Sequence, residues 1–177
     1  MPSSVGICSD CHTSYTRAWC VGNREGVLRN ILNAYKFERV VDMAMAAASL
    51  LDEVLPSLPP DTTIVPVPTV ASHIRQRGYD HTLLIARALG KKREIPVELL
   101  LSHIGSSVQR GKSKKERFQQ AEQAYECRSS ASPDATYLLI DDVVTTNATL
   151  RSCAAELRRA GAQSVWVAVL ARQALDK

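Results

Sequence analysis

The sequence predicts an α/β domain built on a largely parallel sheet. Short apolar runs rich in Val, Ile and Leu ("TTIVPVP", "TYLLI", "SVWVAVLA") alternate with longer segments of helical spacing, and Pro or Gly marks the helix ends. With 45% hydrophobic and 23% charged residues among 177, the chain carries enough apolar material for one sizeable core. In such a sheet, ligands sit at the carboxyl ends of the strands.

Taken in order, residues 1–25 carry cysteines, Ser and Gly without a clear period. They are expected to form a small appendage to a domain over 26–177. Residues 27–35 and 40–55 ("VVDMAMAAASLLDEVL") have helical spacing and good helix formers, and "PSLPPD" ends them because Pro cannot continue a helix. "TTIVPVP" reads as a short buried strand with prolines at its exit. Residues 82–89 are helical with Gly90 as a stop, and "IPVELLL" is a second strand candidate. Residues 103–115 ("HIGSSVQRGKSKK") form the best candidate for a mobile loop, followed by a helix over 116–125. Residues 136–140 are a strand. Leu150, Cys153, Ala154, Leu157 and Ala160 then mark one face of a helix that Gly161 closes, ahead of the buried strand "SVWVAVLA".

Charge and cysteine usage narrow the class. The net charge is +4, but residues 73–117 hold 11 Lys or Arg against four acidic residues, so the rest of the chain is net negative. A one-sided basic segment suits a phosphate-rich ligand or a nucleic acid, although any single Lys in it is more simply read as solvated. No apolar run approaches the roughly 20 residues that cross a bilayer, and the amino terminus lacks the order of a secretory signal. A cytoplasmic protein without membrane insertion is expected. An odd count of five cysteines argues against a disulfide framework and leaves Cys8-x-x-Cys11 as an arranged pair.

The chemistry concentrates in "LLIDDVVTTNATL", residues 138–150. A helix starting near Ala148 points free N–H groups and its positive dipole end back into the loop, so residues 145–149 can wrap a phosphate with amides and hydroxyls. Asp141 and Asp142 would repel that phosphate but accept hydrogen bonds from sugar hydroxyls about one ribose length away. The pair and the loop together describe a ribose 5-phosphate. "GSSVQRGKS" is not a P-loop: five residues separate Gly105 from Gly111 where that motif has four, and no strand runs directly into it.

At these residues the chain resembles the type I phosphoribosyltransferases, whose signature is an apolar strand, two acidic residues and a Thr/Gly-rich loop leading into a helix. The resemblance implies a type I phosphoribosyltransferase-like fold and binding of phosphoribosyl pyrophosphate (PRPP) with Mg2+, or of another ribose 5-phosphate compound. Asp141 and Asp142 would orient the ribose, and Val143, Val144, Thr145, Thr146, Asn147, Ala148 and Thr149 would bind PRPP. Asn147 stands where the family usually has Gly; Asn tolerates a left-handed backbone, but its side chain could crowd the phosphate. Thr145 replaces an Asp common in purine-salvage members, which makes a purine base a poorer guess.

"IVPVP", "RQRGYDHTLLIARAL" and "VQRGKSKKERFQQAEQAY" are similar to the ComF/GntX family over residues 35–172, with Asp80-His81 where that family prefers Asn-Gln and Gln120 where it prefers Asn. By that resemblance the loop after Pro68 faces pyrophosphate, and the 103–117 segment covers the substrate. Arg75, Arg77, Lys112, Lys114, Lys115 and Arg117 would then neutralise pyrophosphate or contact DNA. Two functions follow from the resemblance. One is a phosphoribosyltransferase. The other is a DNA-uptake accessory protein acting in natural competence, with single-stranded DNA or a competence helicase as partner and the PRPP pocket a sensor or a relic.

ComF-like proteins often carry a zinc ribbon ahead of this domain, and "CSDC" resembles one of its two knuckles. Cys8, Cys11 and Cys20 supply three of the four zinc ligands, and His12 is awkward as a fourth because it adjoins Cys11. Residues 1–25 are therefore read as a degenerate or truncated ribbon, with zinc on those three cysteines as the alternative. Cys127 and Cys153 read as small core residues, Trp19 and Trp166 as packing, and His73, His81 and His103 as non-catalytic.

Overall fold

The computed structural model describes residues 14–26, 28–30, 40–104 and 124–173. Its elements are β1 (Arg17–Asn23), α1 (Val40–Val54), β2 (Thr62–Pro66), α2 (Ala71–Arg77), α3 (His81–Arg93), β3 (Leu101–His103), β4 (Tyr125–Cys127), β5 (Thr136–Val144), α4 (Ala148–Arg159) and β6 (Ser164–Arg172). Four strands form a parallel sheet in the order β1-β6-β5-β2, and β3 and β4 form an antiparallel pair.

The strand period of two sorts the core. Tyr137 and Leu139 of β5, with Val165, Val167 and Val169 of β6, face Leu150, Cys153, Ala154 and Leu157 of α4 and the β3–β4 hairpin. Leu138 and Ile140, with Trp166, Ala168 and Leu170, face α1 and α3. Helix α1 meets the sheet through Ala44, Ala47, Ala48 and Leu51, the spacing of one apolar helical face. Helices thus cover both faces, as the sequence predicts for a parallel sheet.

Several boundaries differ from expectation. Gly90 does not stop α3, which runs on to Arg93 and ends at Glu94 in the left-handed conformation (φ 57°). A Cβ on Gly90 would lie 2.5 Å from Val97 Cγ2 and 2.8 Å from the Ile95 carbonyl, so the glycine serves a close approach inside the helix. "IPVELLL" is not a full strand. It makes one bridge, Ile64 to Val97, before β3 starts at Leu101, because Pro96 has no N–H to donate to a ladder. Residues 17–23, on the amino-terminal side of the expected boundary at 25, join the main sheet as its edge strand beside β6.

The basic run is divided as well. Arg93 donates from Nε to Asp52 Oδ1 (2.5 Å) and from Nη2 to the carbonyls of Asp52 (2.8 Å) and Leu55 (3.0 Å), which caps the end of α1. Lys92 Nζ lies 3.6 Å from the same carboxylate. These two cations serve packing at the edge where β2 begins, away from the strands' carboxyl ends. Among the described residues, no helix is long and apolar enough to cross a membrane.

Candidate functional site

Strand β5 runs four residues further than "TYLLI" predicts, so Asp141 and Asp142 lie within it and not beyond its end. Both are half-buried. As successive strand residues they point to opposite faces. Asp141 lines a cavity of about 30 Å3 together with residues 143–150, on the face where α4 packs. Asp142 turns to the other face, where its Oδ2 meets His81 Nε2 at 2.9 Å. Asp141 Oδ1 accepts from the Asp142 N–H (2.8 Å), and Asp142 Oδ1 accepts from the Val143 N–H (2.7 Å).

The cavity sits at the amino end of α4, where Asn147 occupies the N-cap position at φ 63°. No side chain caps this helix, and its first turn holds no acidic residue. Its leading N–H groups and positive dipole end therefore remain available to an anion. Thr145 and Thr146 are exposed beside them. Asn147 adopts the left-handed backbone that Asn tolerates, and its Nδ2 donates to Tyr15 Oη at 2.6 Å. Asn147 Oδ1 is buried without a hydrogen-bond partner among the described residues.

Electrostatics separate the two carboxylates. Burial, reinforced by the neighbouring Asp142 carboxylate, pushes the Asp141 carboxyl well above the usual range. Burial would push Asp142 up too, but the hydrogen bond from His81 outweighs it, with help from the Val143 N–H, and holds that carboxyl at about 2. Tyr125, whose side chain bonds Thr149, has its phenol pushed up to about 12 by burial, with Cys153 and Asp141 adding to that effect. It stays a neutral donor beside the cavity.

The β3–β4 pair ends beside this place. Its last pair, His103 with Tyr125, stacks edge to face at 5.2 Å, and the Ile104 N–H donates to the Ala124 carbonyl at 2.7 Å. Lys112, Lys114, Lys115 and Arg117 lie outside the described residues, as do Gln120, Cys8 and Cys11. Arg75 is exposed on α2, and Arg77 is half-buried with Nη1 3.3 Å from His81 Nδ1.

No family model matches the chain. Competence protein F of Haemophilus influenzae is 34% identical over 115 residues, 62% of this chain and 49% of that protein. Competence protein ComFC of Bacillus subtilis is 26% identical over 165 residues, 86% of this chain and 67% of that protein. The chain thus spans about half the length of the first of these relatives. Among solved structures, the allosteric regulatory enzyme of purine biosynthesis superposes with a TM-score of 0.56 at 18% identity, over 78% of this chain and 30% of that one. The glutamine PRPP amidotransferase of B. subtilis does so with a TM-score of 0.53 at 18% identity and the same coverage. The chain is similar in sequence to these two competence proteins and has a type I phosphoribosyltransferase-like fold.

Two positions at which the chain departs from the ComF/GntX pattern, Asp80 and His81, have defined contacts. Asp80 Oδ1 accepts from the Leu83 N–H (3.1 Å) as the N-cap of α3, and from Thr69 Oγ1 (2.9 Å) in the loop after Pro68. His81, the next residue, is buried and reaches Asp142. Sequence reasoning missed His81 because the contact joins two elements with no local pattern between them. It missed Tyr15 for the same reason, whereas Tyr125 closes the stretch "VQRGKSKKERFQQAEQAY" on which the resemblance rests.

The cysteines take quieter places. Cys20 lies in β1, donates from Sγ to the Gly22 carbonyl (3.2 Å) and has its thiol pushed up by burial, which disfavours the thiolate a metal needs. Among the described residues no three His, Cys, Asp or Glu side chains gather as a metal site. Cys153 is fully buried, Cys127 is half-buried, and Trp19 packs on Trp166 at 5.3 Å.

Proposed function

We propose that this chain binds the ribose 5-phosphate moiety of Mg-PRPP at the carboxyl end of β5. The observation that carries this reading is one cavity, lined by Asp141 and residues 143–150, at the start of a helix that no side chain caps. The 5-phosphate takes the N–H groups of Ala148 and Thr149 and the hydroxyls of Thr145, Thr146 and Thr149. Asp141 faces the same space and accepts from the ribose hydroxyls. Asp142 supports it from the opposite face of the strand, and Arg75 and Arg77 stand on the helix after Pro68, where pyrophosphate would lie. Mg2+ enters with the pyrophosphate it neutralises, which suits a site built of loop amides and one facing carboxylate.

The names of the two relatives support a role in competence; DNA uptake, with single-stranded DNA or a helicase as the wider partner, is the part of this reading that the sequence resemblance alone suggests. Titration calorimetry with Mg-PRPP tests the site. Wild-type protein is expected to bind, and Asp141→Asn to bind at least about tenfold more weakly, the loss of a charge-assisted hydrogen-bond acceptor. Equal affinity in the two proteins would remove the ribose role. Release of pyrophosphate in the presence of a nitrogen nucleophile would make the chain a transferase; tight binding without release would make it a sensor.

A further inference from the structure

His81 uses both ring nitrogens on charged groups from two different elements. Nε2 lies 2.9 Å from the Asp142 carboxylate on β5, and Nδ1 lies 3.3 Å from Nη1 of Arg77, the last residue of α2. The chemistry of the partners assigns the tautomer. A guanidinium only donates and an ionised carboxylate only accepts, so Nδ1 must be the bare acceptor and Nε2 must carry the proton. The ring is buried at the first position of α3, and that helix start is fixed by Asp80, which also bonds Thr69 of the loop after Pro68. His81 therefore cannot swing without disturbing the helix cap.

These contacts form an unbroken line. The cavity wall includes Asp141; Asp141 accepts from the Asp142 N–H; Asp142 meets His81; His81 meets Arg77. We propose that His81 is a positioning residue, which links the Arg77 guanidinium through its ring to the Asp142 carboxylate behind the ribose cavity so that the cation meets the pyrophosphate of a bound PRPP. This rests on the ribose 5-phosphate reading above and adds to it a specificity role: His81 favours ligands that carry pyrophosphate at C1 over those that carry only the 5-phosphate. Arginine has five N–H donors, and the bond to His81 occupies one of them, which leaves the others for an anion.

The test compares Mg-PRPP with ribose 5-phosphate by calorimetry on the full chain in wild type, His81→Leu and His81→Gln. Leu keeps the apolar packing and removes both hydrogen bonds, whereas the Gln amide retains one donor and one acceptor. Wild type is expected to prefer Mg-PRPP. His81→Leu should lose about tenfold or more of that preference while its ribose 5-phosphate affinity changes by less than about threefold. His81→Gln should recover part of the preference. A purely structural His81 would weaken both ligands alike or neither, and an unchanged preference in a folded His81→Leu protein would overturn the proposal. If His81→Leu does not fold, Arg77→Gln carries the same expectation of lost preference, and its failure to lower the preference has the same force. Wild-type protein that binds neither ligand would instead overturn the ribose 5-phosphate reading itself.

Discussion

Asn147 and Tyr15 are 132 residues apart in sequence, yet their side chains share a 2.6 Å hydrogen bond at the start of α4. The bond explains how a non-glycine residue keeps the loop's left-handed turn. The amide is turned onto the Tyr15 hydroxyl, and Tyr15 is itself held by core packing.

Asn147→Gly should therefore leave ribose 5-phosphate affinity within about threefold of wild type, because glycine keeps φ near 63° and the amide is already engaged. Asn147→Ala should destabilise the protein by about 2 kcal/mol, from the lost hydrogen bond and because alanine lacks the polar side chain that lets Asn occupy the left-handed region. Thermal melts check the second expectation and calorimetry the first. Marked tightening in the glycine variant would mean that the amide crowds the ligand after all.

The two carboxylates should have opposite effects on stability. Asp142 is held at about 2, so its contribution is present above the ordinary carboxylate range, near pH 4, and is lost as pH falls toward 2. Asp142→Ala should cost about 1–3 kcal/mol at pH 7, leaving the His81 N–H without its acceptor, and the gap from wild type should close in acid. Asp141 is pushed the other way, so its ionisation opposes folding as pH rises above 4. Asp141→Asn should be neutral or stabilising at pH 7 while it weakens ligand binding, a trade of stability for function. Urea denaturation at pH 7 and pH 2.5 measures both effects.

Gly90→Ala should lower the melting temperature even though alanine is the better helix former by about 1 kcal/mol. The added Cβ meets Val97 Cγ2 and, less forgivingly, the backbone oxygen of Ile95. A net loss of about 1–3 kcal/mol is expected, or several degrees in a chain of this size. A raised melting temperature would show that the 95–97 segment yields easily.

The strand–loop–helix unit from Thr136 to Arg159 was legible in the sequence because its signals are contiguous: an apolar run, two carboxylates, hydroxyl residues, then helical spacing. Strand β1 was not. "RAWCVGN" has no alternation of its own and becomes a strand by pairing with β6 from Arg17 to Asn23. Gly90 was misread because a helix stop and a close packing contact leave the same residue in the sequence. The separate duties of Asp141 and Asp142 follow from strand alternation, a rule available in advance, but the sequence reading ended the strand at Ile140 and put both residues at its edge, ahead of the loop. His81 and Arg77, only four residues apart, gave no hint of the carboxylate that joins them to β5.

The central claim is that ribose 5-phosphate binds at the amino end of α4, and amide chemical-shift mapping tests it most directly. Titrating ribose 5-phosphate into isotopically labelled protein should move the amide signals of residues 145–150 most, with smaller shifts at Asp141 and Asp142. Shifts confined to other parts of the sheet, or none at millimolar ligand, would contradict the account.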